Sequence, residues 1–422
     1  MYELSHAISG DGGPRLTLAT IVVIDGQNLA SLLADAASWT DEIVVGITAA
    51  TAAVREEAEA AGARVVDLDW QHDFSLARNA VLARCSGEWI LSLDTDERLA
   101  APDWAELRRW IESHRPAQQP RAARLPTRSY VPGHYSRRGW RPVSADDPHG
   151  LPTGAPSPGY VPATKVRLLP NLAGLEYRGR LHESVENSLK EACVPVVDLP
   201  WPVHHFGLLE PDPRRSVFYR DLARLKTTDS PHDFRAWADL AECAIMCRDL
   251  QEALSAVDRA LVLNPTDVER RLTAGWLLKE LGELSAADLQ LAAVAGSCQL
   301  TDTQLAETCH LRAQIAMLQE RPADASPLLA IALRLYPENG FYLTTLGVWH
   351  LHMGRQEQAR LALEKAVALC PECADALLNL GLLHASARRT QPAIDYLQRA
   401  LTLDRDCQDA ERALTRLLPT PN

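Results

Sequence analysis

A chain of 422 residues is too long for one ordinary domain, so two or three domains are expected. Apolar residues make up 46% of the chain and charged residues 23%, a balance typical of soluble globular proteins rather than disordered ones. The formal net charge of −12 disfavours nucleic acid as the main partner, because a phosphate backbone requires a basic protein face.

The amino-terminal sequence MYELSHAISGDGGPRL lacks a basic segment followed by an apolar core, so it does not resemble a signal peptide. The apolar run from Leu16 to Ile24 is far shorter than the roughly 20 residues that a membrane-spanning helix needs. We therefore expect no transmembrane segment, while peripheral contact at the inner membrane is left open.

The nine cysteines have irregular spacing, and most fall inside helical patterns. This usage favours reduced thiols and therefore a cytoplasmic location. The pair Cys370 and Cys373 forms a CxxC motif, but no second pair with zinc-site spacing accompanies it. We favour coincidence at a turn between helices over a metal or redox site.

Up to about residue 205, short apolar segments alternate with amphipathic ones. Strand-like segments lie at 16–24, 41–47, 63–69 and 88–94. Helical patterns lie between them in QNLASLLADAASW, in AAVREEAEAAG, which ends at Gly62, and in SLARNAVLARC. This alternation predicts βα units and a mainly parallel sheet, in which ligands bind outside the carboxyl ends of the strands.

Two acids, Asp94 and Asp96, follow the apolar segment Trp89–Leu93 directly. Carboxylates are costly in a core, but at the carboxyl end of a strand they can meet a ligand. Two carboxylates one residue apart can hold a hard divalent cation, which then neutralises a diphosphate. Since D-x-D also occurs by chance, its position after the strand carries this prediction.

Residues 131–163 are rich in proline, glycine, arginine and aromatic residues. The segment is longer than an ordinary connection, and long loops in compact domains are usually functional or disordered. We interpret it as a mobile active-site loop, with simple disorder as the alternative.

The second half of the chain repeats with a period of 34 residues, which pairs Gly347 with Gly381 and Ala359 with Ala393. This period, with small residues at fixed positions, is typical of tetratricopeptide repeats. We predict five repeats at 234–267, 268–301, 306–339, 340–373 and 374–407, followed by the capping segment AERALTRLL. Stacked repeats form a superhelix whose concave face binds peptides or proteins, or mediates self-association.

Six segments occur in an order that we recognise. They are DEIVV (41–45), DFSLARN (73–79), GEWILSLDTDE (87–97), KVRLLPN (165–171), YRGRLHE (177–183) and HHFG (204–207). With them, the chain resembles the family 2 glycosyltransferases of the GT-A fold, in the subgroup that carries C-terminal tetratricopeptide repeats. The resemblance implies an α/β GT-A domain, Rossmann-like with a mainly parallel sheet, followed by an all-α superhelix.

The resemblance also implies an activity. Such an enzyme moves a sugar from a nucleotide-sugar donor to a protein, peptide or cell-envelope glycan acceptor, usually with inversion and with Mg or Mn. We place the domain boundaries at 14–207 for the transferase, 208–233 for a helical linker, and 234–418 for about five repeats and their capping helix.

The resemblance assigns roles on the donor side. Asp94 would contact the donor ribose or sugar and take part in catalysis, and Asp96 would ligate the metal on the diphosphate. The remaining donor-binding candidates are Asp25, Asp73, Arg78 and Asn79. The alternative for Arg78 and Asn79 is an ordinary role in helix solvation and capping.

On the acceptor side, Glu183 would be the general base that deprotonates the acceptor nucleophile. His182 would bind the metal or the diphosphate. These two roles could be exchanged, or either residue could be structural. His204 and His205 match a segment that joins the domains, where they would support the site.

The chain departs from the family pattern at two strand ends. The family's Lys-Asn-Glu segment after the first strand is replaced by Val23-Ile24-Asp25, and its Asp-rich turn after the second strand is replaced by residues 46–52, which contain no acid. These losses favour an altered donor nucleotide, or a catalytically degenerate domain that serves as a protein-interaction scaffold. The retained acids at 94, 96 and 183 favour the enzyme.

Overall fold

A computed structural model of the chain describes residues 15–24, 28–48, 52–134, 139–144, 146–151, 157–210, 212–297 and 299–418. Two compact units are present. Unit 1 consists of Met1–Pro132 and Trp140–Ser230, and unit 2 of Gly133–Gly139 and Pro231–Asn422. In the part of the chain that the structure describes, no helix combines the length and apolarity needed to span a bilayer.

Strands and helices alternate in unit 1. The strands are β1 (Leu16–Val22), β2 (Glu42–Ile47), β3 (Arg64–Asp67), β4 (Trp89–Ser92), β5 (Glu97–Arg98), β6 (Ala122–Val131), β7 (Arg141–Pro142), β8 (Gly159–Pro170), β9 (Val196–Asp198) and β10 (Val203–His205). The helices are α1 (Leu29–Ala36), α2 (Ala52–Ala60), α3 (Phe74–Leu82), α4 (Ala101–Ser113), α5 (Glu186–Glu191) and α6 (Pro213–Asp229).

One twisted sheet contains all these strands, in the order β3-β2-β1-β4-β8-β6-β10-β5, with β7 on β8 and β9 on β6. The four amino-terminal strands pair in parallel, as the sequence predicts, so the α/β fold class is confirmed. The long strands β6 and β8 form an antiparallel pair, and β8 joins the parallel part through β4.

β1 lies in the middle of the parallel part and is buried along its whole length. From β1 the chain continues to β2 and β3 on one side and then crosses back to β4 on the other side. The carboxyl ends of β1 and β4 therefore form a topological switch point, the place where ligands bind in open α/β sheets.

Helix α6, which falls within the predicted linker, is part of unit 1. Proline stands in its first turn, and the side chain of Asp212 caps it by accepting a hydrogen bond from the backbone N–H of Arg214 at 2.8 Å. The first backbone N–H groups of a helix have no partner within the helix. Proline lacks such an N–H group, and Asp212 accepts a hydrogen bond from the N–H of Arg214.

Unit 2 contains five consecutive helix pairs and a final helix within the described residues. They are α7 (Phe234–Met246), α8 (Leu250–Leu263), α9 (Val268–Glu280), α10 (Leu284–Ala295), α11 (Asp302–Leu318), α12 (Pro322–Leu335), α13 (Gly340–His352), α14 (Gln356–Leu369), α15 (Ala374–Ser386), α16 (Thr390–Leu403) and α17 (Gln408–Leu417). The five pairs follow the order of the five predicted repeats, although α11 begins at Asp302, four residues before the predicted start of the third repeat at 306. The all-α repeat superhelix is confirmed.

The recurring glycines of the repeats lie where two paired helices touch. A Cβ atom at Gly347 would lie 2.5 Å from Leu363 Cγ, and one at Gly381 would lie 2.7 Å from Leu397 Cγ. Real Cβ atoms do not approach other carbons this closely, so a larger residue would push the helices apart. Close helix packing is thus the physical reason for the small residues in the 34-residue period.

We predict that Gly347→Ala is about 1 kcal/mol less favourable in the wild type than in a Leu363→Val background, because the contact with Leu363 costs about the lower end of overpacking energies. The gain in helix propensity from glycine to alanine, also about 1 kcal/mol, is the same in both backgrounds and cancels in this comparison. The lower end applies because the third repeat already combines Ala313 with Leu329 at these positions, and the first repeat combines Ala241 with Val257. Denaturant unfolding of the four full-length proteins measures the difference. Equal effects of Gly347→Ala in the two backgrounds would contradict this account.

A buried histidine links two repeats. His310 Nε2 on α11 lies 2.8 Å from Thr345 Oγ1 on α13. Burial, with a smaller contribution from Lys279, lowers the pKa of His310 to about 3. The native protein therefore keeps this imidazole neutral at pH values where the unfolded chain protonates it.

Below pH 6.5 the unfolded state takes up a proton at His310 that the native state excludes, so stability falls as the pH falls towards 3. The slope from this group is at most about 1.4 kcal/mol per pH unit. His310→Gln should flatten this part of a plot of unfolding free energy against pH. Superimposable plots for the two proteins between pH 7 and pH 4 would contradict the assignment.

Candidate active site

The predicted acids lie at the switch point of the sheet. Asp94 and Asp96 follow the end of β4 at Ser92, beside the carboxyl end of β1. A gap in the packing of α3 against the sheet, too small to hold a water molecule, is lined by Ala19, Thr20, Ile21, Arg78, Val81, Leu82, Ser92 and Tyr177. Neither Asp94 nor Asp96 lines it, so a ligand of these two acids would lie outside this gap.

Arg78 on α3 connects three parts of unit 1. Its Nε donates to Glu183 Oε1 and one terminal nitrogen donates to Asp94 Oδ1. The other terminal nitrogen donates to Ser92 Oγ at 3.1 Å. The guanidinium lies over the Tyr177 ring, 5.6 Å from its centroid, and the side chain is only 9% exposed. Three predicted site residues, Arg78, Asp94 and Glu183, are therefore in direct contact.

A second buried arginine supports Asp94 from the other side. Arg167 on β8 pairs with the buried carboxylate of Glu97 and lies 3.6 Å from Asp94 Oδ2. Glu97 Oε2 also accepts a hydrogen bond from the Asp94 backbone N–H at 3.0 Å. Burial acts to raise the pKa of Asp94, but Arg78 and Arg167 outweigh it and hold that pKa well below its usual range. Asp94 is thus held as a carboxylate.

Arg167 and Glu97 belong to the site, but the sequence analysis did not predict a role for either. Both lie in segments that carry the family resemblance, KVRLLPN and GEWILSLDTDE. Arg167 interrupts an otherwise apolar strand end, and a buried charge in such a strand requires an opposite charge nearby. Which acid would meet it depends on the pairing of β8 with β4, which the sequence does not reveal.

Asp96 has a different environment from Asp94. Its side chain is 7% exposed, with Oδ1 3.6 Å from His205 Nε2 and Oδ2 3.5 Å from an Arg215 terminal nitrogen. Burial acts to raise the pKa of Asp96, but His205 and Arg215 bring it below its usual value. These contacts are longer than the roughly 2.7–2.9 Å of close charge-assisted hydrogen bonds. The Asp96 carboxylate is thus held at longer distances than that of Asp94 but is more buried, since the Asp94 side chain is 32% exposed.

Gly207 borders Asp96 closely. A Cβ atom at Gly207 would overlap Asp96 Oδ2 and would lie 2.9 Å from His205 Nε2. The neighbouring Phe206 N–H donates to the Asp96 backbone carbonyl at 3.0 Å. The segment HHFG thus contacts the loop of Asp96 through its backbone and through the His205 side chain, and Gly207 packs directly against the carboxylate.

The two adjacent histidines of β10, His204 and His205, have different neighbours. His205 lies beside Asp96, and its Nδ1 is 3.0 Å from Ser129 Oγ. His204 is buried, with Nδ1 2.8 Å from the Tyr130 hydroxyl and the two rings stacked. Only His205 of this pair contacts a predicted site carboxylate.

Asp73 and Asn79 make structural contacts. Asp73 caps α3 by accepting from the Leu76 N–H at 3.2 Å. Asn79 Nδ2 donates to the Tyr177 carbonyl at 2.9 Å, and Asn79 Oδ1 accepts from the Tyr177 N–H at 2.7 Å. These bonds fasten the segment that carries Glu183 to α3. The donor-binding roles predicted for both residues stay predictions.

The other predicted residues differ in position. His182 is exposed, with a backbone φ of 55°, whereas the Glu183 side chain is 11% exposed. Asp25 lies outside the described residues, as do parts of the 46–52 turn and of the predicted 131–163 loop. The described part of that loop includes β7, which pairs with β8.

The carboxylates of the site meet only part of what a divalent cation requires. Across the described residues, no group of three or more histidine, cysteine or acidic side chains is arranged to hold a metal. Mg²⁺ in phosphate-binding sites typically uses one or two carboxylates, water and substrate phosphates. Asp96, with its longer contacts, fits that limited requirement, whereas both oxygens of Asp94 face arginines.

Comparison with known proteins agrees with both units. Residues 21–152 match the family described as Glycosyl transferase family 2. Residues 310–371 and 344–410 match the family described as Tetratricopeptide repeat. The chain therefore carries a family 2 glycosyltransferase domain followed by tetratricopeptide repeats. The transferase match includes Arg78, Asp94 and Asp96 and ends before Tyr177 and Glu183.

Similar individual proteins share only parts of the chain. A TPR repeat-containing protein of Synechococcus elongatus is 37% identical over 98 residues, 23% of this chain and 24% of that protein. The chain thus spans about a quarter of the length of this curated relative.

Similar solved structures cover about half of the chain. The Cut9–Hcn1 hetero-tetramer of the APC/C aligns with 49% of this chain and 42% of its own, at 19% identity and a TM-score of 0.41. PilW, a type IV pilus biogenesis factor, aligns with 48% of this chain and 93% of its own, at 17% identity and a TM-score of 0.40.

We predict that Arg78→Met destabilises unit 1 by about 3 kcal/mol, because Asp94 and Glu183 would lose their shared counter-charge. The cost should shrink at low pH, because the Asp94 carboxyl, without Arg78 to lower its pKa, can take up a proton there. Denaturant unfolding at pH 7 and at low pH measures both effects. Arg84→Met, at an exposed position just after the same helix, is the control. An equal cost at both pH values would contradict the ion-pair explanation.

Proposed function

We propose that the chain is a divalent-cation-dependent, inverting glycosyltransferase that uses a nucleotide-sugar donor. The observation that carries this proposal is the position of Asp94 and Asp96 at the switch point of a family 2 glycosyltransferase domain. Open α/β sheets bind their ligands there. Arg78 connects this donor side to Glu183, so donor and acceptor functions have a common support.

Donor binding is assigned to the carboxyl ends of β1 and β4. Asp96 would hold Mg²⁺ or Mn²⁺, and such a cation neutralises the diphosphate that leaves the sugar. Asp94, held as a carboxylate by Arg78 and Arg167, would accept hydrogen bonds from the ribose or sugar hydroxyls. Its fixed orientation favours positioning over metal binding.

Glu183 is assigned as the general base. The acceptor nucleophile would give its proton to the Glu183 carboxylate while it attacks the anomeric carbon from the face opposite the diphosphate. The bond from the anomeric carbon to the diphosphate oxygen breaks, and the nucleoside diphosphate leaves with that electron pair. A single displacement of this kind inverts the anomeric configuration. The Glu183 carboxylate pairs with Arg78, which holds it on the same guanidinium as Asp94.

The repeats are assigned to acceptor or partner binding. Tetratricopeptide superhelices present a continuous concave face, which suits an extended peptide or a folded protein partner. We therefore favour a protein or peptide acceptor, with a cell-envelope glycan as the other acceptor class. Self-association through the repeats is a further use of the same surface.

A non-catalytic scaffold is the second candidate. It is favoured by the contacts of Arg78, which already engages Asp94 and Glu183, and by the absence of acids from residues 46–52. In that case, the charged network would serve stability alone, and the repeats would carry the function.

The first experiment is thermal-shift screening of the full chain against UDP-, GDP- and dTDP-sugars, with and without Mn²⁺. We expect a cation-dependent rise in Tm for one donor class, because a ligand that binds the native state stabilises it. No rise with any donor would favour the scaffold.

For the donor class that binds, we predict that Asp96→Ala abolishes sugar transfer while the fold persists, because the cation loses its protein ligand. Glu183→Gln should reduce turnover by about 10²-fold or more while donor binding remains, as expected for a general base. Glu112→Gln, at an exposed position on α4, is the matched control for Glu183→Gln. Unchanged turnover in Asp96→Ala would remove the metal assignment.

A further inference from the structure

The proposed base, Glu183, lies at the end of a small hairpin loop. Two backbone hydrogen bonds close this loop: the Arg178 N–H donates to the Ser184 carbonyl at 2.9 Å, and the Ser184 N–H donates to the Arg178 carbonyl at 3.0 Å. Within the loop, Gly179 and His182 have backbone φ values of 107° and 55°, which allow a tight change of chain direction. Glu183 directly precedes the closing pair, so the position of that pair sets the position of the carboxylate.

The side chain of Asn79 on α3 holds the residue that precedes this loop. Asn79 Oδ1 accepts a hydrogen bond from the Tyr177 N–H at 2.7 Å, and Asn79 Nδ2 donates to the Tyr177 carbonyl at 2.9 Å. The amide therefore pairs with both polar groups of one backbone residue, as a neighbouring strand does in a sheet. Because both bonds have to be kept at once, they fix the orientation of Tyr177 as well as its distance from α3.

The side chain of Tyr177 fixes the same residue on the donor side. Its ring is buried, and the Arg78 guanidinium lies over it, 5.6 Å from the centroid. Its hydroxyl is hydrogen-bonded to the side chain of Ser92, at the end of β4 and two residues before Asp94. Tyr177 thus has its backbone bound to α3 and its side chain bound to the strand that leads to the D-x-D motif.

Helix α3 contacts the loop at two further points. The backbone N–H of Phe74, its first residue, donates to the Arg180 carbonyl at 3.0 Å. Arg78, four residues along the helix, pairs with Glu183 itself. Together with Asn79, three residues of one helix contact the start, the middle and the end of segment 177–183. The helix therefore sets both the orientation of the proposed base and its distance from the donor-side acids.

These contacts decide between the roles open to Asn79. A donor-binding role in place of its two bonds would leave the buried backbone groups of Tyr177 without partners, which is costly. An ordinary helix-capping role does not describe bonds to a residue 98 positions away in sequence. The contacts favour a role in which Asn79 acts through the loop that it holds.

We propose that Asn79 is a positioning residue, which holds the loop of residues 177–184 so that the Glu183 carboxylate faces the acceptor nucleophile. This inference rests on the proposed function, in which Glu183 is the general base. It gives Asn79 a part in the transfer step rather than in donor affinity. That step is sensitive to position, because a misplacement of about 1 Å can cost about 10²-fold in rate.

The test compares turnover with donor affinity in the full chain. The donor is the nucleotide sugar that raises Tm in the thermal-shift screen, and turnover is the release of nucleoside diphosphate with water as the acceptor. Water gives a proton to Glu183 while its oxygen bonds to the anomeric carbon and the nucleoside diphosphate leaves, so the assay needs no identified acceptor. Asn79→Ala should lower kcat by about tenfold or more and change the calorimetric Kd for the donor by less than about twofold.

A double variant distinguishes positioning from a general loss of structure. Asn79→Ala should lower turnover much less in a Glu183→Gln background than in the wild type, because the group that Asn79 positions is already lost there. A loss of folded protein would lower turnover by the same factor in both backgrounds, and that result would overturn the positioning role.

Two further variants complete the comparison. Asn79→Gln keeps the amide and lengthens the side chain by one methylene group, so it should fold like the wild type and lower kcat by shifting the loop. Asn187→Ala, at an exposed position on α5, is the matched control and should leave turnover unchanged. Circular dichroism and Tm verify the fold of each variant.

Hydrogen exchange reports on the loop directly. In Asn79→Ala, backbone amides of residues 177–184 should exchange faster than in the wild type, because the loop has lost its attachment to α3. Amides of β1 should exchange at the wild-type rate. Unchanged exchange in the loop would contradict the attachment.

Three results of the turnover assay would also overturn the inference. If Asn79→Ala, or Asn79→Gln where the alanine variant does not fold, turns over like the wild type, Asn79 has no positioning role while the proposed function stands. If a fall in donor affinity accounts for the whole loss of kcat/KM, Asn79 belongs to the donor site instead. If the wild type releases no nucleoside diphosphate from any donor, both the inference and the proposed function fail.

Discussion

The candidate site depends on one buried guanidinium. Arg78 neutralises Asp94 and Glu183 together, and these acids come from segments about 90 residues apart in sequence. Two carboxylates without a shared cation would repel each other and would be costly to desolvate. The arginine therefore makes their proximity favourable, and the orientation of α3 sets the distance between the donor and acceptor sides.

The two acids of the D-x-D motif have different neighbours. Asp94 is 32% exposed and contacts Arg78 and Arg167, and its backbone N–H donates to Glu97. Asp96 is 7% exposed and contacts His205 and Arg215 at 3.6 and 3.5 Å. Two acids one residue apart after the same strand therefore lie in different electrostatic environments, which is why the proposed function gives them different roles.

The two units are stabilised by different interactions. In unit 1, the buried arginines Arg78 and Arg167 pair with acids at the switch point, and Arg215 on α6 lies beside Asp96. In unit 2, closely packed helix pairs depend on small residues such as Gly347, and the buried His310 remains neutral. Sequence change is therefore constrained by charge balance in the first unit and by helix spacing in the second.

The sequence by itself determined the order of the elements, the parallel strands, the five repeats and the position of Asp94 and Asp96. These features follow from local periodicity, because a strand, a helix or a 34-residue repeat is visible within a short window. Only the tertiary structure decided that Arg78 joins Asp94 to Glu183, that Asn79 binds the backbone of Tyr177, and that Arg215 lies beside Asp96. Asn79 and Tyr177 are 98 residues apart in sequence, and Asp96 and Arg215 are 119 residues apart. Contacts at this separation arise from strand pairing and helix packing, which no local sequence pattern encodes.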